Sequence, residues 1–333
     1  SISSYILVGT KRKVARANEA ALKYLLLGAF STGFLLYGIS MLYGATGSTI
    51  LPQIIDEVQK NGADNPLVIV GMALVVIAMS FKIAIVPFHM WTPDVYTGAP
   101  TPVTGFLSAA AKAAGFAVFV RVVLTGIPLD GANWENVLWI LAVLIMTVGN
   151  LMALRQSEVK RMLAFSSIAH AGYVLVAVVV GSASAISGVI FYSFAYAVMG
   201  TGAFGILTIR DAGRVPQTYD DLAGYGKRNP FQALMMTLFM FSLIGLPLTG
   251  GFIGKLQIFS AALDGGWVWL TVIGILNSAL SAYYYLRVVM FMYMREGALP
   301  EGTELSLKSS GFALTGHVSY PHLRAHQTKA NIE

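Results

Sequence analysis

Residues 66–97 read PLVIVGMALVVIAMSFKIAIVPFHMWTPDVYT, an apolar stretch of 32 residues with Lys82 and Pro87 near its middle. About 20 apolar residues are enough to cross a bilayer, so this stretch is half again as long as one crossing requires. A proline inside a helix removes a hydrogen bond and kinks or breaks the helix. The stretch therefore predicts a discontinuous membrane helix, which is tolerated only where the freed backbone faces protein or water.

A second stretch has the same features. Residues 231–263 form a similarly long apolar run around Pro247, and Lys255 follows that proline by eight residues. Eight residues are about two helical turns. Two broken helices at matching places predict two structural repeats, a pattern found in membrane transporters.

The composition excludes a soluble protein. Hydrophobic residues make up 56% of the 333 residues and charged residues only 11%, whereas a soluble domain carries about 25% charged residues. The chain contains no cysteine, which excludes a disulfide framework, a Cys-ligated zinc site and a Cys-bound iron–sulfur cluster. The formal net charge of +6 does not indicate nucleic acid, because the basic residues fall at loop positions.

The fold predicted from these patterns is an all-α, polytopic transmembrane helix bundle. We expect a transmembrane domain over 1–295 and a polar tail over 296–333. The first residues, 1–9, read as the end of an apolar helix that began upstream. Nine crossings are expected: 1–9, 20–43, 66–97, 101–126, 134–153, 159–180, 184–210, 231–263 and 267–294.

The loops between these crossings alternate in charge. Twelve basic residues lie on one side, whereas Lys60 is alone among acidic residues on the other. Since basic loops stay in the cytoplasm, the first side is predicted to be cytoplasmic. The basic residues on that side are Lys11, Arg12, Lys13, Arg16, Arg155, Lys160, Arg161, Arg210, Arg214, Lys227, Arg228 and Arg295.

A few ionisable residues remain inside the apolar spans: Lys82, Lys112, His170 and Lys255. A lysine at the centre of a bilayer costs about 3 kcal/mol on insertion scales, so such residues normally face a polar or wet interior. Burial favours the neutral form of lysine, and histidine titrates near neutral pH in any case. A row of such groups at mid-depth is what a proton path requires, with His89 as a possible further member.

Structural interpretations compete with this one. An intramembrane lysine can be an ion-pair partner, His89 can simply hydrogen-bond a loop, and Asp94 reads better as a cap or turn residue than as a proton carrier. Lys23, Arg121 and Arg287 lie nearer the span ends and can extend to the interface.

A glycine motif in this sequence is misleading. Residues 200–205 spell G-x-G-x-x-G, but nucleotide binding requires a strand, a tight turn and a helix around that motif. Here the glycines lie within an apolar span, where small residues let helices pack closely. The sequence therefore predicts no dinucleotide binding at this motif, and it contains no other pattern typical of a metal site or a phosphate loop.

Several longer motifs resemble a known family. They resemble the proton-channel subunits of respiratory NADH–quinone oxidoreductase, specifically the subunit N family, the bacterial counterpart of mitochondrial subunit 2. The resemblance covers about residues 1–295. Its motifs run from Phe81 to Asp94, from Asp94 through Val95-Tyr96-Thr97-Gly98-Ala99-Pro100, from Gly149 to Leu154, from Lys160 to His170, and from Gly251 to Lys255.

This resemblance implies a proton-translocating subunit with antiporter-like inverted repeats and no redox chemistry of its own. It implies that Lys82, Lys112 and Lys255 match the family's lysines and that His170 matches a central histidine of its polar axis. The family's essential glutamate would precede Ser1, so the chain is expected to be truncated at its beginning.

The resemblance also implies the surroundings of the chain. Quinone reduction would occur in other subunits, no cofactor or metal would bind this chain, and its partners would be other membrane subunits, the lipid bilayer and protons. The expected location is the bacterial inner membrane, with no nucleic acid involved.

Two alternative functions remain open. One keeps the fold but places the chain in a multisubunit sodium–proton antiporter or a membrane-bound hydrogenase. The other is a structural membrane scaffold without a proton path. The tail from Gly311 to Glu333, which holds three histidines, departs from the family pattern. We interpret it as foreign or frame-shifted sequence replacing a last apolar helix, with a metal-binding tail as the alternative.

Overall fold

The computed structural model describes residues 1–61, 65–126, 134–210 and 217–296. Within these ranges the structure is helical, and the only β-type pairing is one isolated bridge between Glu158 and Thr218. The predicted all-α class is thus confirmed. The expectations for the tail, including its three histidines, and for Arg214 fall outside the described residues.

The helices follow the apolar stretches of the sequence. Seven are long and apolar enough to cross a membrane: α2, α4, the α6–α7 pair, α8, α9, α10 and α14. The helices are α1 (Ile2–Val8), α2 (Ala15–Thr46), α3 (Leu51–Asn61), α4 (Pro66–Ile83), α5 (Trp91–Gly98), α6 (Thr101–Phe106), α7 (Lys112–Gly126), α8 (Trp134–Leu154), α9 (Val159–Val180), α10 (Ala183–Arg210), α11 (Tyr225–Arg228), α12 (Pro230–Ile244), α13 (Gly250–Asp264) and α14 (Val268–Met294).

Helix α9 is the centre of the bundle. Of its most apolar 18-residue window, 94% is buried inside the protein, compared with 22% for α2. Helices α5, α8, α10, α13 and α14 all pack against it. A helix enclosed in this way presents its polar residues to other helices and not to lipid, so α9 is where polar groups from several helices can meet.

The first predicted break is confirmed. Helix α4 ends at Ile83, the next residue, Ala84, adopts a left-handed conformation with φ of 63°, and α5 begins at Trp91. The break leaves C-terminal carbonyl groups of α4 without helical partners. The indole of Trp91 donates to one of them, the carbonyl of Phe81, at 2.8 Å.

The second predicted break is also confirmed. Helix α12 ends at Ile244, Gly245 follows with φ of 87°, and Thr249 caps α13 by accepting a hydrogen bond from the Phe252 amide. Close approach of the two half-helices requires a glycine, because a Cβ at Gly251 would collide with the Ser242 carbonyl.

Several predicted boundaries differ from the structure. Helix α2 begins at Ala15, before the expected start at residue 20. The expected loop near Lys60 contains helix α3, whose apolar side packs inward through Ile54 and Val58. Helix α4 alone is 18 residues long, so the first broken span does not need all of 66–97 to cross. A π-helical turn at Leu107–Ala111 separates α6 from α7.

The predicted count of nine crossings is accounted for in part. Seven are the long helices, and the eighth corresponds to α12 and α13, which are 15 residues each. The ninth corresponds to α1, which is only seven residues long. The crossings by these shorter helices stay predictions.

The G-x-G-x-x-G segment has no nucleotide-binding context. All six residues lie inside α10, and a Cβ at Gly202 would collide with the ring of Phe239 on α12. The motif therefore serves helix packing, as the sequence indicates.

Candidate functional site

Lys112 reaches the central helix. It begins α7, immediately after the π-helical turn, and is only 5% exposed. Its ammonium group donates to the backbone carbonyl of Ser167 at 2.5 Å and to the Ser167 hydroxyl at 3.0 Å. Both acceptors belong to α9, so the lysine is buried with its hydrogen bonds directed inward. Irregular helical turns of this kind are frequent at functional sites.

Lys82 is not buried, which corrects the sequence-based expectation. It lies in the last turn of α4, and its side chain is exposed. Because α4 ends one residue later, the side chain extends past the break toward Ser1, whose hydroxyl accepts its hydrogen bond. Its stem passes 4.0 Å from the position that a Cβ on Gly115 would occupy.

One cavity connects Lys82 with Lys112. Its volume is about 190 Å³, and both lysines contribute to its wall together with Tyr24, Trp91 and Tyr96. A cavity of about 10–15 Å³ is large enough to hold one water molecule, provided that polar groups line it. Several water molecules therefore fit in the cavity that the two lysines share.

A second, smaller cavity connects Lys112 with His170. Its volume is about 20 Å³, and Ser167, Tyr192 and Tyr196 also line it. This volume accommodates about one water molecule. Lys112 thus lies between two cavities, one shared with Lys82 and the other shared with His170.

His170 lies between two tyrosine hydroxyls. It is 3% exposed, at the middle of α9. Its Nδ1 hydrogen-bonds the hydroxyl of Tyr192 on α10, and its Nε2 hydrogen-bonds the hydroxyl of Tyr285 on α14 at 2.8 Å. The Tyr285 hydroxyl also hydrogen-bonds Ser166 on α9. Both ring nitrogens are therefore in use.

Lys255 is held by the second break. It is 4% exposed and donates to the carbonyls of Leu243 at 3.0 Å and Ile244 at 2.8 Å, the last two residues of α12. It also donates to the Ser278 hydroxyl at 2.8 Å. The carbonyl end of a helix attracts a cation, so the break supplies the acceptors that stabilise this ammonium group.

Tyr173 separates His170 from Lys255. The Lys255 ammonium lies 4.8 Å from the centroid of the Tyr173 ring, and the imidazole of His170 meets the same ring edge-on at 5.6 Å. The buried Tyr173 hydroxyl has no hydrogen bond of good geometry within the described part of the chain. Lys255 lines neither of the two cavities.

Asp94 is an ion-pair residue, which corrects the interpretation of it as a cap or turn residue. Its carboxylate accepts from Lys23 on α2 at 2.9 Å and from Arg161 on α9 at 2.8 Å. Burial alone would raise the pKa of the Asp94 carboxyl, but hydrogen bonds and charges from Lys23 and Arg161 outweigh burial and hold that pKa below its ordinary value. Asp94, in the first turn of α5, thus supplies the acid for basic residues of α2 and α9.

Two residues next to this cluster also differ from expectation. Lys23, expected to reach the interface, pairs with Asp94 and with Glu19 at 2.7 Å. Lys160, expected in a loop, is 4% exposed and donates to the carbonyl of Ala99 at 2.8 Å. The first turn of α9 begins at the end of α5, so Lys160 faces that helix and not the solvent.

His89 stands apart from the other candidates. It lies in the break between α4 and α5, is partly buried, and its Nδ1 has no hydrogen-bond partner within the described residues. It lines neither cavity. The structure brings Lys82, Lys112 and His170 together and leaves His89 outside this group.

The two tyrosines that hydrogen-bond His170, Tyr192 and Tyr285, are not among the site residues predicted from the sequence. Tyr192 and Tyr196 are four residues apart on α10, a spacing that places both on one helix face, and both rings contact His170. That spacing was the available signal.

A metal centre has no support in the described ranges. No group of three or more His, Cys, Asp or Glu side chains there lies close enough to hold a metal ion.

Comparisons with known proteins agree on one family. The family model described as NADH:quinone oxidoreductase/Mrp antiporter, TM, matches residues 1–281. A relative named NADH-quinone oxidoreductase subunit N, from Trichlorobacter lovleyi, is 54% identical over 299 residues, which are 89% of this chain and 61% of that protein.

Solved structures share the fold. A chain of respiratory complex I from Thermus thermophilus with bound aureothin matches with a TM-score of 0.75 and 38% identity, over 89% of this chain and 64% of that one. A chain of the membrane-bound sulfane sulfur reductase, an archaeal respiratory membrane complex, matches with a TM-score of 0.82 and 30% identity, over 91% of this chain and 62% of that one. The chain spans about three fifths of the length of the curated relatives it matches.

Proposed function

Because the chain belongs to the NADH:quinone oxidoreductase/Mrp antiporter membrane family, we propose that it is a proton-translocating subunit of an NADH–quinone oxidoreductase, of the subunit N type. It carries out no redox chemistry and binds no cofactor, metal, NADH or nucleic acid. Its partners are the other membrane subunits of the complex, the lipid bilayer and the protons it moves. It lies in a bacterial inner membrane with its basic loops in the cytoplasm.

The observation that carries this proposal is the position of Lys112. It lines the cavity of about 190 Å³ with Lys82 and the cavity of about 20 Å³ with His170. Lys112 and His170 are buried inside an apolar bundle, and Lys82 reaches the larger cavity from the end of α4. Ionisable residues buried within a membrane protein are expected to be functional, since their burial is costly.

The shared cavity makes the two lysines interdependent. Two like charges in one site disfavour each other's charged form. A proton that arrives on Lys82 therefore favours the release of a proton from Lys112. The released proton can then move through the smaller cavity to His170. Proton transfer through such a line requires only that each group change its charge in turn.

The distal end of the line is Lys255. Its ammonium is stabilised by the carbonyls of Leu243 and Ile244, so this position favours holding a proton. A proton that passes His170 would reach a group that retains it until the surroundings change. Tyr173, between the two, is where transfer to Lys255 would be controlled.

The main alternative is a subunit of a sodium–proton antiporter or of a membrane-bound hydrogenase. The family includes antiporters by its description, and the archaeal reductase chain shares the fold. The motif from Asp94 to Pro100 and the identity to subunit N relatives favour the oxidoreductase. A scaffold without a path does not account for the polar line around Lys112.

The test uses the complete gene of this subunit in its membrane complex, reconstituted in vesicles. Quinone reduction and proton pumping are measured for wild type and for Lys112→Met, which keeps the side-chain length and removes the charge. We expect assembled complexes with pumping reduced about a hundredfold, the scale on which a lost proton-transfer group acts. Normal pumping by Lys112→Met rules the proposal out, and absence of NADH-driven quinone reduction in wild type favours the antiporter alternative.

A further inference from the structure

We propose that Tyr192 and Tyr285 are catalytic proton carriers that deliver protons to His170 and take them away. This inference deepens the proposed function and rests on it. Tyr192 lies on α10 and Tyr285 lies on α14. Neither helix contains one of the residues predicted for the proton path. Both hydrogen-bond directly to the ring nitrogens of His170.

The chemistry of the imidazole ring fits two hydroxyl partners. A neutral imidazole has one N–H donor and one nitrogen acceptor, and a phenol hydroxyl can donate and accept. His170 can therefore hydrogen-bond both tyrosines in either tautomer, with the donor and acceptor roles exchanged. A structural histidine needs only one tautomer fixed by its partner, whereas this arrangement accommodates both.

The transfer balances with Lys112 as the source of the proton, since it lines the small cavity together with Tyr192. The Lys112 ammonium passes a proton through a water molecule in that cavity to the Tyr192 hydroxyl, which gives its own proton to Nδ1 of His170. Nε2 gives its proton to the Tyr285 hydroxyl, whose own proton moves to the Ser166 hydroxyl, and Ser166 releases its proton to a water molecule beyond it. Lys112 is then a neutral amine, that water carries the charge onward, and the tyrosines, the serine and the ring are neutral again. A half-turn of the ring presents its protonated nitrogen to Tyr285 and its free nitrogen to Tyr192, which resets the path.

The two tyrosines face opposite ends of the line. Tyr192 lines the small cavity with Lys112, so it is the hydroxyl on the donor side. Tyr285 lies on α14, seven residues from Ser278, which accepts from Lys255. Seven residues are about two helical turns, so both side chains lie near one face of α14. Tyr285 thus belongs to the helix that also contacts Lys255, whereas Tyr192 belongs to the cavity of Lys112.

Burial is the further argument for a role in transfer. Tyr192 is 1% exposed and Tyr285 is fully buried, whereas Tyr283 on the same helix is 63% exposed. A buried tyrosine hydroxyl usually finds a hydrogen-bond partner, and both of these hydroxyls find theirs on His170.

The experiment compares Tyr192→Phe and Tyr285→Phe with the control Tyr283→Phe, all in the complete subunit within its complex. Each change removes one hydroxyl and keeps the ring. Proton pumping and quinone reduction are measured in H₂O and in D₂O. We expect pumping by the first two variants to fall at least about tenfold, with a larger solvent isotope effect because proton transfer becomes limiting. Tyr283→Phe should retain wild-type pumping and its isotope effect.

Full pumping by either Tyr192→Phe or Tyr285→Phe overturns the inference, as does a loss with an unchanged isotope effect, since that is a packing defect. If a Phe variant does not assemble, a fluorinated tyrosine placed at that site retains the ring and makes the hydroxyl more acidic. Its pumping should then show a shifted pH profile, and an unshifted profile also overturns the inference. If Lys112→Met loses pumping and the Phe variants pump fully, only the role of the two tyrosines is refuted. Normal pumping by Lys112→Met refutes the proposed function itself.

Discussion

The ammonium group of Lys112 and the hydroxyl of Ser167 lie 3.0 Å apart, although 55 residues of sequence separate them. This contact joins the start of α7 to the most enclosed helix of the bundle. It fixes Lys112 between the cavity shared with Lys82 and the cavity shared with His170. The relationship makes Lys112 the position at which a change of charge should matter most.

Substitution of Ser167 should separate anchoring from titration. Ser167→Ala removes the hydroxyl acceptor, but the backbone carbonyl of residue 167 still accepts from Lys112. We expect pumping to fall only a few-fold, about the effect of one net hydrogen bond, and much less than in Lys112→Met. The measurement is pumping per quinone reduced in reconstituted complexes. A loss as large as that of Lys112→Met would show that the hydroxyl itself carries protons.

Lys82 should tolerate neither alanine nor arginine. Lys82→Ala removes a titrating group from the larger cavity, and Lys82→Arg places there a charge that does not leave at any working pH. Both should abolish pumping, and because the side chain is exposed, both complexes should assemble normally. Lys60→Ala, which loses only an exposed pair with Glu57, is the matched control. Normal pumping by Lys82→Arg would show that its charge is structural.

The ion pairs of Asp94 with Lys23 and Arg161 should contribute to the stability of the fold. Asp94→Asn removes the charge that Lys23 and Arg161 share and should lower the free energy of unfolding by about 1 kcal/mol, since the pairs are partly exposed. Asp94→Glu, which retains the carboxylate, should lose less. Unfolding in detergent, followed by circular dichroism, provides the measurement. Equal stability of the Asn variant and wild type at neutral pH would contradict this assignment.

The same ion pairs predict that the stability of the fold depends on pH. The pKa of Asp94 in the folded protein lies below its ordinary value, so its ion pairs stabilise the fold above that ordinary value. The contribution is lost as the pH falls through the folded pKa and the carboxylate gains a proton. Wild type should therefore lose more stability than Asp94→Asn between neutral and strongly acidic pH. Parallel curves for the two proteins would exclude this contribution.

The second break should not tolerate a side chain at residue 251. A Cβ added to Gly251 would occupy the space of the Ser242 carbonyl, so Gly251→Ala must displace one half-helix and should cost on the order of 3 kcal/mol. Lys255 would lose its geometry with the same displacement. Gly33→Ala is the control, because nothing lies within 4 Å of the added atom. A similar melting temperature for both variants would contradict the close approach.

The topology can be tested with single introduced cysteines, because residues 1–333 contain none of their own. Single cysteines at Lys13, Ser157 and Lys227 should be protected from an impermeant thiol reagent in intact cells. A cysteine at Gln53 in α3 should react, since α3 lies on the opposite side of the predicted topology. Reaction at any of the first three positions, with intact membranes, would contradict the predicted cytoplasmic location of these loops.

The sequence by itself determined the class of fold and the places where helices break. Long apolar runs specify membrane helices because lipid offers no partner for backbone groups, and Pro87 and Pro247 mark breaks that the structure contains. The intramembrane lysines were visible for the same reason, since a charge in an apolar run is costly. These signals are local in sequence, so one sequence is enough to detect them.

The tertiary structure alone decided which polar groups meet. Helical periodicity tells which residues share a face, but it does not tell which face packs against which helix. Asp94 therefore read as a turn residue until α2 and α9 brought Lys23 and Arg161 to it. Lys82 read as buried because its stretch is apolar, yet α4 ends beside it and leaves its side chain in a cavity. Tyr192 gained its place on His170 only through the packing of α10 against α9, a long-range contact that no local pattern encodes.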